Sequence, residues 1–224
     1  MSSSFRLPPD LQEHLPDPDR GPDVWVVGGA LRDHLLGRPY DDLDFVISSS
    51  AIPFARKVAN ALSWDFFVLD HERGAARILP KDKRYPIRRM DFSQLRGASI
   101  EADLRHRDFT INALGVSVQD PSSLIDPTGG LEDLRLRQLR ACGPDSISQD
   151  AVRVLRAIRF ASDLEFAIHP KTTAQIKDAV RLVREVSIER IRDELFRILD
   201  SKNVAAAVRL LDHLKVIEVI FPDI

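Results

Sequence analysis

A short apolar run, Val24-Trp25-Val26-Val27, stops abruptly at Gly28-Gly29, and no other stretch of the chain narrows its folding choices so far. β-Branched and aromatic residues in succession favour an extended segment, whereas Ala30 to Leu36 carries a helical pattern that Gly37 ends. The unit is strand, glycine turn, short helix. A second strand alternates over Leu43 to Ile47, and Ser48 to Ser50 are placed to cap a helix running to Leu62. Phe66 to Asp70, Ala75 to Leu79 and Ile87 to Phe92 read as further strands, and Phe109 to Leu114 as one helical segment. From Ser148 onward only helices are expected: Asp150 to Leu164, Pro170 to Val183, Ile188 to Leu199 and Asn203 to Ile217. That change of pattern predicts an α+β domain over residues 24–140, a small mixed sheet flanked by helices, followed by an all-α region over 141–224 read as the start of a longer helical body. Residues 1–23, with five prolines, are expected to form a poorly ordered arm holding at most one short helix.

Composition removes several classes. With 224 residues, 44% hydrophobic and 29% charged, the chain suits one large or two small soluble domains and excludes collagen, coiled coil and outright disorder. A lone cysteine, Cys142, makes no internal disulfide, and the six scattered histidines complete no zinc-ligand spacing. No apolar run approaches the ~20 residues of a membrane span and no signal-peptide pattern opens the chain, so a cytoplasmic protein is expected. A net charge of -2 gives no global pull toward nucleic acid, yet nine Lys/Arg stand against four Asp/Glu between Arg77 and Arg107. By itself such a run reads first as a solvated face.

The residues that could do chemistry cluster early. Gly28 and Gly29 let a phosphate approach the backbone, and the helix that follows offers unpaired N–H groups to it. Strand alternation puts Asp42 and Asp44 on one face about 7 Å apart, where they repel unless cations intervene. Asp91 adds a third carboxylate in another short strand, between Met90 and Phe92. Three carboxylates from adjacent strands can hold two Mg²⁺ ions, the arrangement for in-line displacement at phosphorus, with Arg32 supplying further positive charge. The blander reading of each feature is a tight turn and a polar edge strand.

The strand-Gly-Gly-x-x-Arg-Asp-x-x-x-Gly segment followed by Asp42-x-Asp44 resembles the DNA polymerase β nucleotidyltransferase superfamily, and more closely the class II tRNA nucleotidyltransferases and bacterial poly(A) polymerases. Further blocks follow in that family's order. Leu104 to Leu114 is similar to the motif whose Arg-Asp pair, here Arg107 and Asp108, contacts ribose and phosphates. Ile125 to Leu134 resembles the connector between catalytic head and helical neck, Asp150 to Phe160 the neck helix that selects the base, and Ser187 to Leu195 the last block. The resemblance implies a polymerase β-like head and an all-α neck, with Asp150 and Arg153 reading the pairing edge of the base and Arg156 and Arg159 reaching the triphosphate. Residues three apart share a helix face, and a carboxylate beside a guanidinium matches the donor and acceptor edges of cytosine and adenine.

It further implies CMP addition from CTP, with AMP from ATP as an extension, to the 3′ end of tRNA. Three departures are visible. Gln149 stands where an acidic residue is usual, the path from Arg96 to Asp103 is short as in enzymes that add only CC, and the family's tRNA-gripping helical regions do not follow. The alternatives are a bacterial-type poly(A) polymerase, against which Phe66-Phe67-Val68-Leu69-Asp70 stands where that branch carries a basic strand, and a non-catalytic RNA- or nucleotide-binding module.

Overall fold

The computed structural model describes residues 5–15 and 21–222. It divides into two compact units, Met1–Arg105 with Ile111–Thr128 and His106–Thr110 with Gly129–Ile224. The chain thus enters the second unit briefly at 106–110, returns, and leaves the first unit at Thr128.

In the first unit, α1 (Pro9–Gln12) starts at Pro9, where a missing N–H costs nothing. Phe5 and Leu11 are buried, and Tyr85 donates to the Asp10 carboxylate at 2.8 Å, so residues 5–15 are packed where a poorly ordered arm was expected. The remainder of that arm, 1–4 and 16–20, lies outside the described residues. β1 (Val24–Val27) runs into α2 (Gly29–Leu35) through Gly28, whose φ of 81° and ψ of -137° only glycine adopts freely. β2 (Asp42–Ile47) leads to α3 (Ala51–Leu62), which ends on a left-handed Ser63. β3 (Asp65–Asp70) and β4 (Ala75–Leu79) form a hairpin. β5 (Arg89–Gln94) begins two residues later than the sequence predicts, because the Asp41 carbonyl collects the Arg88 and Arg89 N–H groups at its entry. α4 (Ile100–Arg105), β6 (Gly115–Ser117) and β7 (Leu124–Ile125) complete the unit.

Among the described residues these strands make one mixed sheet in the order β3-β4-β5-β2-β1-β6-β7. β2 pairs β5 in parallel and β1 antiparallel, which makes it central. Its odd-numbered side chains, Leu43, Phe45 and Ile47, enter the core, where Phe45 stacks on Phe92 with centroids 4.8 Å apart and Phe54 tilts onto Phe92 from α3. The even-numbered ones face the other way. That parity is what delivers Asp42 and Asp44 to one surface.

The second unit holds α5 (Gly130–Leu136), β8 (Gln138–Leu139), α6 (Val152–Leu164), β9 (Ala167–Ile168), α7 (Pro170–Ala179), α8 (Ile188–Leu199), α9 (Val204–His213) and α10 (Val216–Ile220). The region is helical as expected, apart from a two-residue parallel ladder of β8 with β9. α6 starts at Val152, not Asp150, since the preceding residues coil through turns with Asp150 N–H on the Ile147 carbonyl. The single helix expected over 203–217 breaks at Lys215, left-handed at φ 61°, and α7 tightens into a 3-10 segment over Val180–Glu185. Phe109 to Leu114 gives only one 3-10 turn, Thr110–Asn112, because Phe109 bridges Ala141 instead.

Candidate active site

Sheet register builds the first cluster. Asp44 lies opposite Asp91, Asp91 opposite Arg77, and Asp42 opposite Arg89. Directly opposed residues share a face, so three carboxylates and two guanidiniums stand together on the surface away from Phe45 and Phe92. Arg77 grips Asp91 with Nε and a terminal nitrogen at 2.7 and 2.8 Å, a bidentate pair. Arg89 donates through a terminal nitrogen to Oδ2 of Asp42, and its Nε is 3.9 Å from Asp91. Burial pushes the Asp42 carboxyl above its ordinary pKa; Asp41 and Asp91 add to the rise while Arg89 and Arg77 oppose it. The hydrogen bond to Asp91 raises the Arg77 guanidinium further.

The sequence brings Asp42, Asp44 and Asp91 to one face as expected, but it does not gather them into a cage. Among the described residues no three His, Cys, Asp or Glu side chains converge closely enough to hold a metal. Asp91 and Asp42 are instead paired with Arg77 and Arg89. Neither arginine was singled out from sequence, where both were only part of a basic run. As donors the carboxylates still suit a hard divalent cation.

The glycine turn adjoins this sheet. Gly28 N–H donates to the Leu114 carbonyl, and Gly28 O accepts from Arg32 N–H as α2 begins. Arg32 does not project freely. Asp33 takes its Nε and one terminal nitrogen at 3.0 and 2.7 Å, and Asn112 accepts from the other at 2.6 Å. Asp33 and Asn112 are therefore further site residues that pattern alone did not mark, although each sits in a motif already quoted.

In the second unit the expected nucleotide contacts are engaged internally. Asp108 is buried, accepts Phe109 N–H at 2.7 Å, and takes two Arg156 nitrogens at 2.9 and 2.5 Å. Arg156 and Arg159 converge on buried Glu194 of α8. Arg159 also lies over the Phe160 ring at 4.3 Å. Burial alone would lower the Arg156 pKa, but Asp108 and Glu194 outweigh it; for Arg159 burial prevails and the pKa falls. The resemblance assigns Arg156 and Arg159 to a triphosphate; in this structure Asp108 and Glu194 take their guanidiniums. Arg153 donates to the carbonyls of His106, Arg107 and Ser146 and to the Ser146 hydroxyl, which fixes its plane. Asp150 lies in the turn before α6 and pairs with Arg190 at 2.7 Å, while Arg153 is in the first turn of the helix. Arg107 contributes its carbonyl to Arg153 and Ser146.

Comparison with known proteins places this geometry. Residues 24–140 match the poly A polymerase head domain, and 165–224 match a probable RNA and SrmB-binding site of polymerase A. The CC-adding tRNA nucleotidyltransferase of Geobacter sulfurreducens is 47% identical over 79% of this chain and 40% of its own length. The A-adding tRNA nucleotidyltransferase of Deinococcus radiodurans is 33% identical over 93% of this chain and 47% of its own. In structure, the Thermotoga maritima CCA-adding enzyme complexed with tRNA superposes with a TM-score of 0.81 at 33% identity, over 90% of this chain and 49% of that one. The chain spans about half the length of these relatives or less. No helix among the described residues is long and apolar enough to cross a membrane.

Proposed function

The chain belongs to the class II tRNA nucleotidyltransferase family of CC- and CCA-adding enzymes, and from that premise we propose that it transfers CMP from CTP to the 3′ end of tRNA, releasing pyrophosphate. The observation that carries this reading is the sheet face that Asp42, Asp44 and Asp91 share, with Asp44 opposite Asp91 on one side and opposite Val27, just before the Gly28 turn, on the other. Residues 24–140 act as the catalytic head and 141–224 as a neck.

Mg²⁺ would be held by Asp42 and Asp44, with Asp91 as the third ligand. When bound it offsets triphosphate charge and favours the deprotonated form of the attacking hydroxyl. The chain's own residues do the positioning. The backbone at Gly28 and Gly29 admits the phosphates closely. Arg32, fixed by Asp33 and Asn112, presents positive charge that needs no reorganisation when the α-phosphate becomes more negative. Arg107 and Asp108 are assigned the ribose and phosphates, and Asp150 and Arg153 the base. An Arg153 already oriented by carbonyls loses little freedom on meeting a base edge.

Addition of CC alone is favoured by the short path after Arg96, where only Gly97, Ala98 and Ser99 precede α4. The 47% identity to a CC-adding relative supports the same choice. The test is incorporation of labelled CTP and ATP, singly and together with Mg²⁺, into tRNA transcripts ending before CCA, after C and after CC. Extension stopping at CC is expected. A complete CCA end contradicts the CC assignment, and no incorporation by folded protein contradicts the activity.

A further inference from the structure

Resting on the assignment of Asp42, Asp44 and Asp91 as cation ligands, we propose that Arg89 is an internal stand-in for the cation, a positioning residue that holds the carboxylates in the free protein and must let go before they can ligate. Three features of the sheet support it. Arg89 lies directly opposite Asp42 on the parallel neighbour strand, so its side chain is delivered to the carboxylate face by register and not by chance rotation. It touches two of the three carboxylates, ion-paired to Asp42 and 3.9 Å from Asp91. It also differs from Arg77. Arg77 holds Asp91 by two parallel bonds that fix the plane of both groups, whereas Arg89 makes one bond to Asp42 through a terminal nitrogen.

Charge arithmetic gives the consequence. Three carboxylates facing two guanidiniums leave a single net negative charge on the face, too little to draw a divalent cation strongly. An incoming triphosphate adds several negative charges and offers Arg89 a better partner. Release of Arg89 then uncovers Asp42, and nucleotide and cation binding favour each other reciprocally. Arg77 stays on Asp91 throughout and keeps that carboxylate aimed.

The experiment is titration of the intact protein with Mn²⁺ alone, free Mn²⁺ being read by electron paramagnetic resonance and folding checked by circular dichroism. Arg89→Gln and Arg89→Met should each tighten Mn²⁺ binding without nucleotide by about tenfold, while Arg89→Lys, which keeps the charge, should stay within about twofold of the native chain. Adding Asp44→Asn to Arg89→Gln should abolish the gain. Neutral variants that bind Mn²⁺ no better than the native chain overturn the proposal, with the ligand assignment intact if Asp44→Asn alone still weakens binding. Binding indifferent to Asp44 in every background overturns the ligand assignment itself, and the proposal with it.

Discussion

On the sheet face of the first unit, Arg77 and Arg89 meet Asp91 and Asp42 with all four side chains between 27% and 44% exposed, whereas in the second unit Arg159 meets Glu194 with the two side chains at 14% and 7%. The same pair of functional groups is thus used at two depths. Near the surface an ion pair is worth little and can be exchanged for another partner. Once desolvated, it is costly to break because one charge is left behind without compensation. The difference separates charge that can change partners from charge that holds helices together, and the Arg159–Glu194 pair belongs to the second class.

That comparison breaks most readily at Glu194. Glu194→Ala takes from Arg159 its close partner and leaves Arg156 on Asp108 alone, and should cost about 3 kcal/mol of stability, measured by urea unfolding. A loss below about 1 kcal/mol would place this network with the surface pairs. A smaller effect is expected where one of several partners goes. Asp133 is buried and takes the Thr110 hydroxyl at 2.5 Å while Arg140 also donates to it, so Thr110→Val should cost about 1 kcal/mol by the same method.

The least change is expected on the sheet face, and there the sign reverses. The Asp42 pKa is raised in the folded state, so its ionised form is disfavoured by folding above the carboxylate range. Asp42→Asn should melt slightly higher than the native chain at neutral pH. The advantage should vanish as pH falls through the carboxylate range, where the native Asp42 is itself protonated. A variant that melts lower at pH 7 would mean that Arg89 and Arg77 hold Asp42 more strongly than burial, Asp41 and Asp91 oppose it.

How much of this was legible depended on whether the cause was local. β1, β2, β4 and α8 could be read because apolar alternation or helical periodicity is written into adjacent residues, as in Leu43-Asp44-Phe45. Asp42 and Asp44 could be placed on one face for the same reason. The clamps by Arg77 and Arg89 could not, since they depend on β5 lying between β4 and β2, a pairing of strands far apart in sequence. The turn at Lys215 was hidden for a different reason: a left-handed lysine carries no compositional mark. Residues 106–110 read as part of the head, yet Phe109 bridges Ala141 and Thr110 N–H meets the Arg140 carbonyl, long-range choices that no window of sequence reveals.

The most direct measurement sets activity against stability in one variant. Asp44 lies on the sheet face opposite Asp91, exposed and outside the apolar core. Asp44→Asn should lower CMP incorporation into a tRNA transcript lacking its CCA end by at least about 100-fold, with the melting temperature unchanged or raised. Incorporation at the native rate by the folded variant would contradict the account, for the sheet face would then not be where the chemistry occurs.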